Sequence, residues 1–159
     1  MNGLTYERAA ELFTYDPLTG LVVWRASGRE AKTPKDGYKC VEVAERCYRV
    51  HRIAWLLMTG DWPKHSVDHI NGNRSDNRWS NLRDVTHSVN LQNQHRARNG
   101  SKSGLLGVFR NKKKWSSHIK AGDKVLHLGT FATPEEAHAK YLEAKALYHP
   151  GAYLNQPVS

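Results

Sequence analysis

Asp68 and His69 stand side by side in a short apolar run, Val67-Asp68-His69-Ile70. A dense set of amides and guanidiniums follows: Asn71, Asn73, Arg74, Asn77, Arg78, Asn81, Arg83 and, further on, Asn90. Together these residue types fit hydrolysis of a phosphodiester. That reaction needs a nucleophile, charge neutralisation on the phosphate and help for the leaving 3′ oxygen, and one hard divalent ion serves the last two needs. Asp68 is a good oxygen ligand for such an ion. A neutral His69 deprotonates water near pH 7. Its other ring nitrogen needs a partner to fix the tautomer, and an Asn side-chain carbonyl supplies one. Asn90, on the next expected helix, offers the metal a neutral oxygen. Neighbours on a strand point to opposite faces, so Asp68 and His69 share a site only where the strand bends. Asn71-Gly72, directly after them, makes that bend plausible and reads as a strong hairpin-turn dipeptide.

The elements that must position these groups are legible in the apolar spacing. Residues 4–14 read as a short helix with Thr5 as N-cap and Ala9, Leu12 and Phe13 near one face. Asp16-Pro17-Leu18-Thr19-Gly20 is a turn, and residues 21–24 a strand. Residues 37–43 and 46–50 alternate and read as a hairpin through Ala44-Glu45. Residues 51–59 have helical spacing and stop at Gly60. Residues 66–70 form a short strand, and a helix is expected from Thr86. Trp55, Leu56, Trp62 and Leu82 read as core. Residues 96–104 are polar and basic and form the one clear linker. After it come three strands, 107–110, 115–120 and 125–130, with turns at 111–114 and 121–124. A final helix is announced by Thr133 as N-cap, Pro134 at the first helical position and Glu136 completing a capping box. Ala137, Tyr141, Ala144 and Tyr148 are spaced to face the sheet. The expected architecture is α+β, with residues 1–97 as the catalytic module, 98–103 as a basic linker and 104–159 as a three-stranded antiparallel sheet packed on one helix.

Charge points to the same class of partner. The 159-residue chain carries a formal net charge of +9. Nine of its Lys and Arg residues lie between Arg96 and Lys124, against the single acid Asp123. A concentrated patch of this kind fits a polyanion. Cys40 and Cys47 form no CxxC pattern, so neither a zinc knuckle nor a disulfide framework is expected. No apolar run is long enough to span a membrane and the start of the chain is no signal peptide. The expected setting is a reduced cytoplasm.

Residues 46–95 resemble the HNH nucleases, closest to the phage and intron-encoded members. The resemblance rests on His51-Arg52-Ile53-Ala54-Trp55, Gly60-Asp61-Trp62-Pro63, Val67-Asp68-His69-Ile70-Asn71-Gly72, Asp76-Asn77-Arg78, Asn81-Leu82-Arg83 and Asn90. Residues 12–20 also resemble the lead-in of phage members. The resemblance implies a strand–strand–helix (ββα-metal) unit around one metal ion. Asp68 and Asn90 would bind the metal, His69 would be the general base and Asn81 would orient His69. An Asn stands where the family name has its last His, which weakens the case for affinity toward the later transition metals and favours Mg²⁺ or Mn²⁺. Residues 104–155 resemble the plant ethylene-response-factor (APETALA-type) DNA-binding domain, on Gly107-Val108, Arg110, Trp115, Ile119, Leu128-Gly129-Thr130-Phe131, Thr133, Glu135-Glu136-Ala137, Tyr141, Ala144 and Asn155. That resemblance implies a sheet laid in the major groove of DNA.

Alternation on the second strand puts Trp115, Ser117 and Ile119 on one face and Ser116, His118 and Lys120 on the other, with Val125 and His127 outward and Leu126 and Leu128 inward. Arg110, Lys112, Lys120 and His127 are the expected main contacts, with Ser116 and His118 beside them. Lys112, Lys113 and Lys114 sit at a turn suited to gripping phosphate. The sequence thus reads as a metal-dependent, site-directed DNA endonuclease of the phage or homing HNH type, acting on double-stranded DNA as a monomer or a DNA-assembled dimer. A DNA-binding regulator or phage packaging accessory built on an inactive HNH fold is the alternative. Asn77-Arg78 reads as a loop tie, His65, His87 and His95 as solvent-facing, and His51 as capping or packing at least as much as chemistry.

Overall fold

The computed structural model describes residues 3–32, 37–94, 97–98 and 100–152. His95, Arg96 and Asn155 lie outside the described residues. The chain forms two compact units, Met1–His87 and Ser88–Ser159.

In the first unit α1 (Tyr6–Leu12) is capped by Thr5, whose Oγ1 accepts from the Arg8 amide at 3.3 Å. The helix is shorter than the expected 4–14 because Phe13 already belongs to β1 (Phe13–Asp16), which pairs antiparallel with β2 (Leu21–Trp24). Phe13 lies opposite Trp24 with ring centroids 4.5 Å apart, a cross-strand aromatic pair that favours the sheet over another helical turn. Next come β3 (Cys40–Val43) and β4 (Arg46–Arg49), joined by Ala44 and Glu45 at φ 49° and 63°. Then α2 (Val50–Thr59) ends at Gly60, φ 84°. That left-handed cap is one a side chain adopts only at a cost.

β5 (Ser66–His69) pairs antiparallel with β6 (Leu82–Val85). The tight hairpin expected at Asn71-Gly72 is therefore not formed. Gly72, at φ 70°, makes a local turn back to the His69 carbonyl (2.8 Å), and the chain runs on through residues 73–81 before the partner strand begins. Side-chain ties inside this segment, described below, replace the ladder a tight hairpin would have made.

Each of the three sheets in this unit has two strands, too few to be stable alone. Helix packing supplies the rest. Phe13, Val22, Val41, Val50, Ile53 and Leu56 share one buried cluster, each large side chain contributing about 1.5–3 kcal/mol. Ala54, on another side of α2, packs with Val67 and Leu82. A single helix therefore anchors both the general core and the β5–β6 pair.

The second unit has α3 (His87–Gln92, beginning at the last residue of the first unit), β7 (Val108–Asn111), β8 (Lys114–Ala121), β9 (Lys124–Phe131) and α4 (Pro134–Tyr148). The sheet order is β7-β8-β9, antiparallel throughout. The division between units falls after the first residue of α3, earlier in the chain than the polar stretch 98–103. The cause is that the α3 segment is tied to the end of α4. Gln92 Oε1 accepts from the Gly151 amide at 3.2 Å, and the buried Lys145 donates to the Gln94 carbonyl at 2.6 Å. Thr133 and Glu136 form the expected capping box. Ala137, Tyr141 and Ala144 are buried, with Tyr141 and Ala144 clustered on Ile119. Tyr148 is 46% exposed, because that cluster ends a turn earlier. A Cβ at Gly107 (φ 72°) would fall inside the Tyr141 ring, so this position must be glycine. No helix among the described residues is long and apolar enough to cross a membrane.

Candidate functional site

Asp68 and His69 close β5 and are both buried, at 8% and 4% exposure. They take different partners, as strand neighbours should. Asp68 faces Arg83 across the β5–β6 pair, and Arg83 donates to its Oδ2 from Nε (3.1 Å) and Nη2 (2.8 Å). The His69 Nε2 lies 3.0 Å from Asn77 Oδ1. Asn77 Nδ2 points to the Ser75 carbonyl (3.4 Å), which fixes the amide with its oxygen toward the ring. His69 therefore donates from Nε2, and the lone pair of the neutral ring falls on Nδ1. Burial lowers the His69 pKa, opposed by the Asn77 hydrogen bond and by the charges of Asp68 and Asp76. The ring is thereby kept in the neutral, proton-accepting form.

The tie expected from Asn81 to His69 belongs to Asn77. Asn81 is buried at 6% exposure and braces the loop. Its Oδ1 accepts from the Asn71 amide (3.0 Å), and its Nδ2 donates to Asn71 Oδ1 (3.0 Å) and to the Asp76 carbonyl (2.7 Å). Asp76 adds a fork with Arg78, at 2.8 and 2.7 Å, which is the main reason its pKa is lowered. The roles of the two asparagines are thus exchanged relative to the sequence reading.

Asn77 is 1% exposed and is held from the far end of the unit. The Tyr15 hydroxyl donates to its carbonyl at 2.7 Å, and the Trp79 amide donates to the Pro17 carbonyl at 2.9 Å. A Cβ at Gly20 (φ 75°) would collide with the Asn77–Arg78 backbone. The β1–β2 hairpin is thus the platform on which the residue orienting His69 rests.

A second imidazole borders the first. His51, at the start of α2 and 8% exposed, meets His69 edge-on with ring centroids 5.0 Å apart. Its pKa is pushed down to about 3, mainly by burial, then by His69, Arg52 and Arg49. Tyr38 lies 5.3 Å from His51 and 6.0 Å from His69, ring to ring. Nothing in the local pattern around Tyr38 marked it as part of the site. His65 and His87 are exposed, as expected.

Among the described residues no three His, Cys, Asp or Glu side chains cluster as a metal cage. The donor chemistry is one buried carboxylate amid amide and carbonyl oxygens. It suits a hard ion held by few protein oxygens and completed by water, as Mg²⁺ is, and is a poor match for zinc, which prefers several N and S ligands. Asn90 stands on α3 in the second unit and is half-buried.

Residues 48–92 match the HNH endonuclease family. They run from β4 through α2, β5 and β6 to the end of α3 and hold His51, Asp68, His69, Asn77, Asn81 and Asn90. The chain is also 32% identical over 104 residues to the DNA endonuclease I-HmuI of Bacillus phage SP01, covering 60% of each protein. A solved structure described as DNA binding and cleavage by the HNH homing endonuclease I-HmuI aligns at 32% identity and a TM-score of 0.42. That alignment covers 52% of this chain and 51% of the other. The chain thus spans about 60% of the length of that relative.

Outside the matched segment, the β7-β8-β9 sheet shows which of its residues point away from α4. Ser117 is fully buried and pairs with the buried Val108, while Ile119 joins the cluster with Tyr141, Leu126 and Leu128. The opposite face holds Phe109, Ser116, His118, Lys120, Val125 and His127. Arg110, expected as a main contact, alternates with Phe109 and shares the side of Val108. It pairs with Trp115 and lies over that ring, Cζ 4.7 Å from the centroid, with its Nε donating to the Lys112 carbonyl. The outward residue is Phe109, 56% exposed, whose ring meets His118 (5.4 Å), which in turn meets His127 (5.0 Å). Ser116 is only 5% exposed, so little of it is left for a ligand. Lys112, Lys113 and Lys114 are exposed at the β7–β8 turn, Lys112 at φ 51°, and Lys120 is exposed on β8. The second strand pairs with the third across a bulge at Ser117/His118, which bends the face locally.

Proposed function

We propose that this chain is a divalent-metal-dependent DNA endonuclease that hydrolyses phosphodiesters. The observation that carries the reading is the buried, neutral His69, with Nε2 held by Asn77 and its chain neighbour Asp68 buried beside Arg83. With Nε2 occupied by Asn77, Nδ1 takes a proton from water as it attacks phosphorus. Asp68 would hold the metal ion, and the HNH resemblance adds Asn90 as a second, neutral ligand. A bound Mg²⁺ or Mn²⁺ would neutralise phosphate charge and assist the leaving 3′ oxygen. Arg83 holds the Asp68 carboxylate in line through its two donated hydrogen bonds. Asn81 acts through the loop that carries Asn77. The site acts on one strand at a time.

The sheet of the second unit is proposed to supply affinity for duplex DNA. Its exposed turn lysines Lys112, Lys113 and Lys114 suit phosphates. Lys120, His118, His127 and Phe109 lie on a face whose three-stranded width fits a major groove. The matched relative is a phage DNA endonuclease, which supports the same assignment for this chain.

The test is nicking of supercoiled plasmid by the full chain, with Mg²⁺, with Mn²⁺ and with a chelator. Nicked circles that require metal, with Asp68→Ala more damaging than Asn90→Ala, are the expected result. Plasmid left intact under every metal, or cut equally well in chelator, refutes it.

A further inference from the structure

Two imidazoles are brought together on the outward side of the β7-β8-β9 sheet. Ser117 pairs with Gly129, so an unbroken ladder would set Leu128 opposite His118. The bulge at Ser117/His118 skips Leu128 and sets His127 there instead, with ring centroids 5.0 Å apart. From β7, the 56% exposed Phe109 borders His118 at 5.4 Å.

The charged groups around this pair carry one sign. β7 contributes Phe109 and Asn111 to the face, and neither is charged. β8 contributes Lys114, Ser116 and Lys120, and β9 contributes Val125 and Thr130. Lys112 and Lys113 stand at the adjoining turn. The one acid between residues 101 and 131 is Asp123, in the turn between β8 and β9. Helix α4 packs on the opposite face, through Tyr141 and Ala144 on Ile119. No carboxylate therefore lies on the outward face among the described residues. A histidine ordinarily titrates near 6.5. Burial and then the neighbouring His127 hold His118 below its usual value, so its ring is neutral at pH 7 in the free protein.

Phosphates change that balance. A polyanion laid against this face favours the protonated ring by charge alone. Charge acts over distance and asks no particular hydrogen bond of either imidazole. Repulsion across 5.0 Å opposes a second proton on the same pair.

We propose that His118 and His127 together take up one proton as duplex DNA docks on this face, so that DNA binding strengthens as pH falls. The proposal rests on the duplex-binding reading above and deepens it by making that binding proton-linked. The sign is set by linkage. A group whose pKa is higher in the complex adds affinity at low pH, and that contribution is lost as pH rises through its value in the complex.

Fluorescence anisotropy of the full chain on a labelled duplex, in chelator and at constant salt, tests this. Affinity should rise about fivefold from about pH 8 to about pH 6, most of the tenfold that one unit of pKa is worth. His118→Asn/His127→Asn keeps polar side chains without a titrating ring and should lose that rise. His118→Asn/His127→Lys puts a fixed charge in place of the proton. It should bind at about pH 8 as tightly as wild type does at about pH 6. In NMR spectra of the wild-type chain, the ring-proton midpoint of one of the two histidines should move up by about one pH unit when duplex is added.

A wild-type affinity that does not change with pH overturns the proposal and leaves duplex binding standing, with the rings as neutral contacts. A rise that persists in His118→Asn/His127→Asn overturns it too, because the proton then goes elsewhere. Absence of duplex binding at every pH would refute the duplex-binding reading and this proposal with it.

Discussion

The two units handle polar groups in opposite ways. In the first, the groups that could do chemistry are buried and satisfied by one another: Asp68 by Arg83, His69 by Asn77, Asn81 by Asn71 and the Asp76 carbonyl. In the second, the charges that could hold a polyanion stand in water at a turn and on one face of a regular sheet. The difference follows from physics. A base must be kept in one tautomer and one protonation state, which takes burial and fixed partners. Attraction to a polyanion works at a distance and needs only exposed charge. Changes in the first unit should therefore act on rate at little cost in affinity, and changes in the second on affinity and salt dependence.

The largest effect should come from His69→Ala. Loss of a general base typically costs about 10²–10⁴-fold in rate. Cleavage should drop by that much while duplex affinity stays within about twofold of wild type. Asn77→Ala should lower the rate less, through lost ring orientation, with affinity again unchanged. A His69→Ala protein cleaving at a tenth of the wild-type rate or better would break the comparison at its chemical end.

Stability against pH should separate the units next. His51 is held neutral, its pKa depressed from 6.5 to about 3. The unfolded chain therefore gains a proton below about 6.5 that the folded protein refuses. The stability contributed by neutral His51 is intact above that value and is lost as pH falls toward about 3, by up to about 1.4 kcal/mol per pH unit. His51→Phe should flatten the fall in Tm between pH 6.5 and 4.5. An unchanged pH dependence in the variant would show that burial does not hold this ring neutral.

Smaller still is the change expected from replacing Lys112, Lys113 and Lys114 together with Ala. Affinity should weaken on every duplex sequence, and the slope of log affinity against log salt should flatten by about 0.9 for each phosphate no longer neutralised. Single-turnover rate at saturating DNA should hold. A slope that stays fixed would remove the turn from the DNA-binding surface.

The finest distinction lies within the sheet. Phe109→Ala should weaken binding several-fold, since an outward apolar ring can meet a thymine methyl. Arg110→Ala should do less, because that side chain is folded onto Trp115. Fluorescence anisotropy on a labelled duplex ranks the two, and the reverse order would restore Arg110 as the main contact the sequence suggested.

Much was legible in the chain itself. The Asp68-His69 pair, the apolar spacing of α2, the Thr133–Glu136 capping box and the concentration of Lys and Arg after residue 95 are local patterns, and local patterns determine local structure. The alternation of β8 was read with the correct phase because Trp115, Ser117 and Ile119 contrast with Ser116, His118 and Lys120 along one strand. The side of the sheet that Arg110 takes was not legible, because it is set by its register against Trp115 across the strand pair. The tie to His69 went to Asn77, not Asn81, because the path of the loop is decided by Tyr15, Pro17 and Gly20, some sixty residues earlier in the chain. Arg49 and Arg74 reach the Tyr38 ring from segments far apart in the chain. Sequence alone determined which residue types were available and which short elements carry them. Tertiary structure decided which asparagine holds His69 and which side chains surround it, because those contacts join segments whose separation along the chain carries no periodic signal.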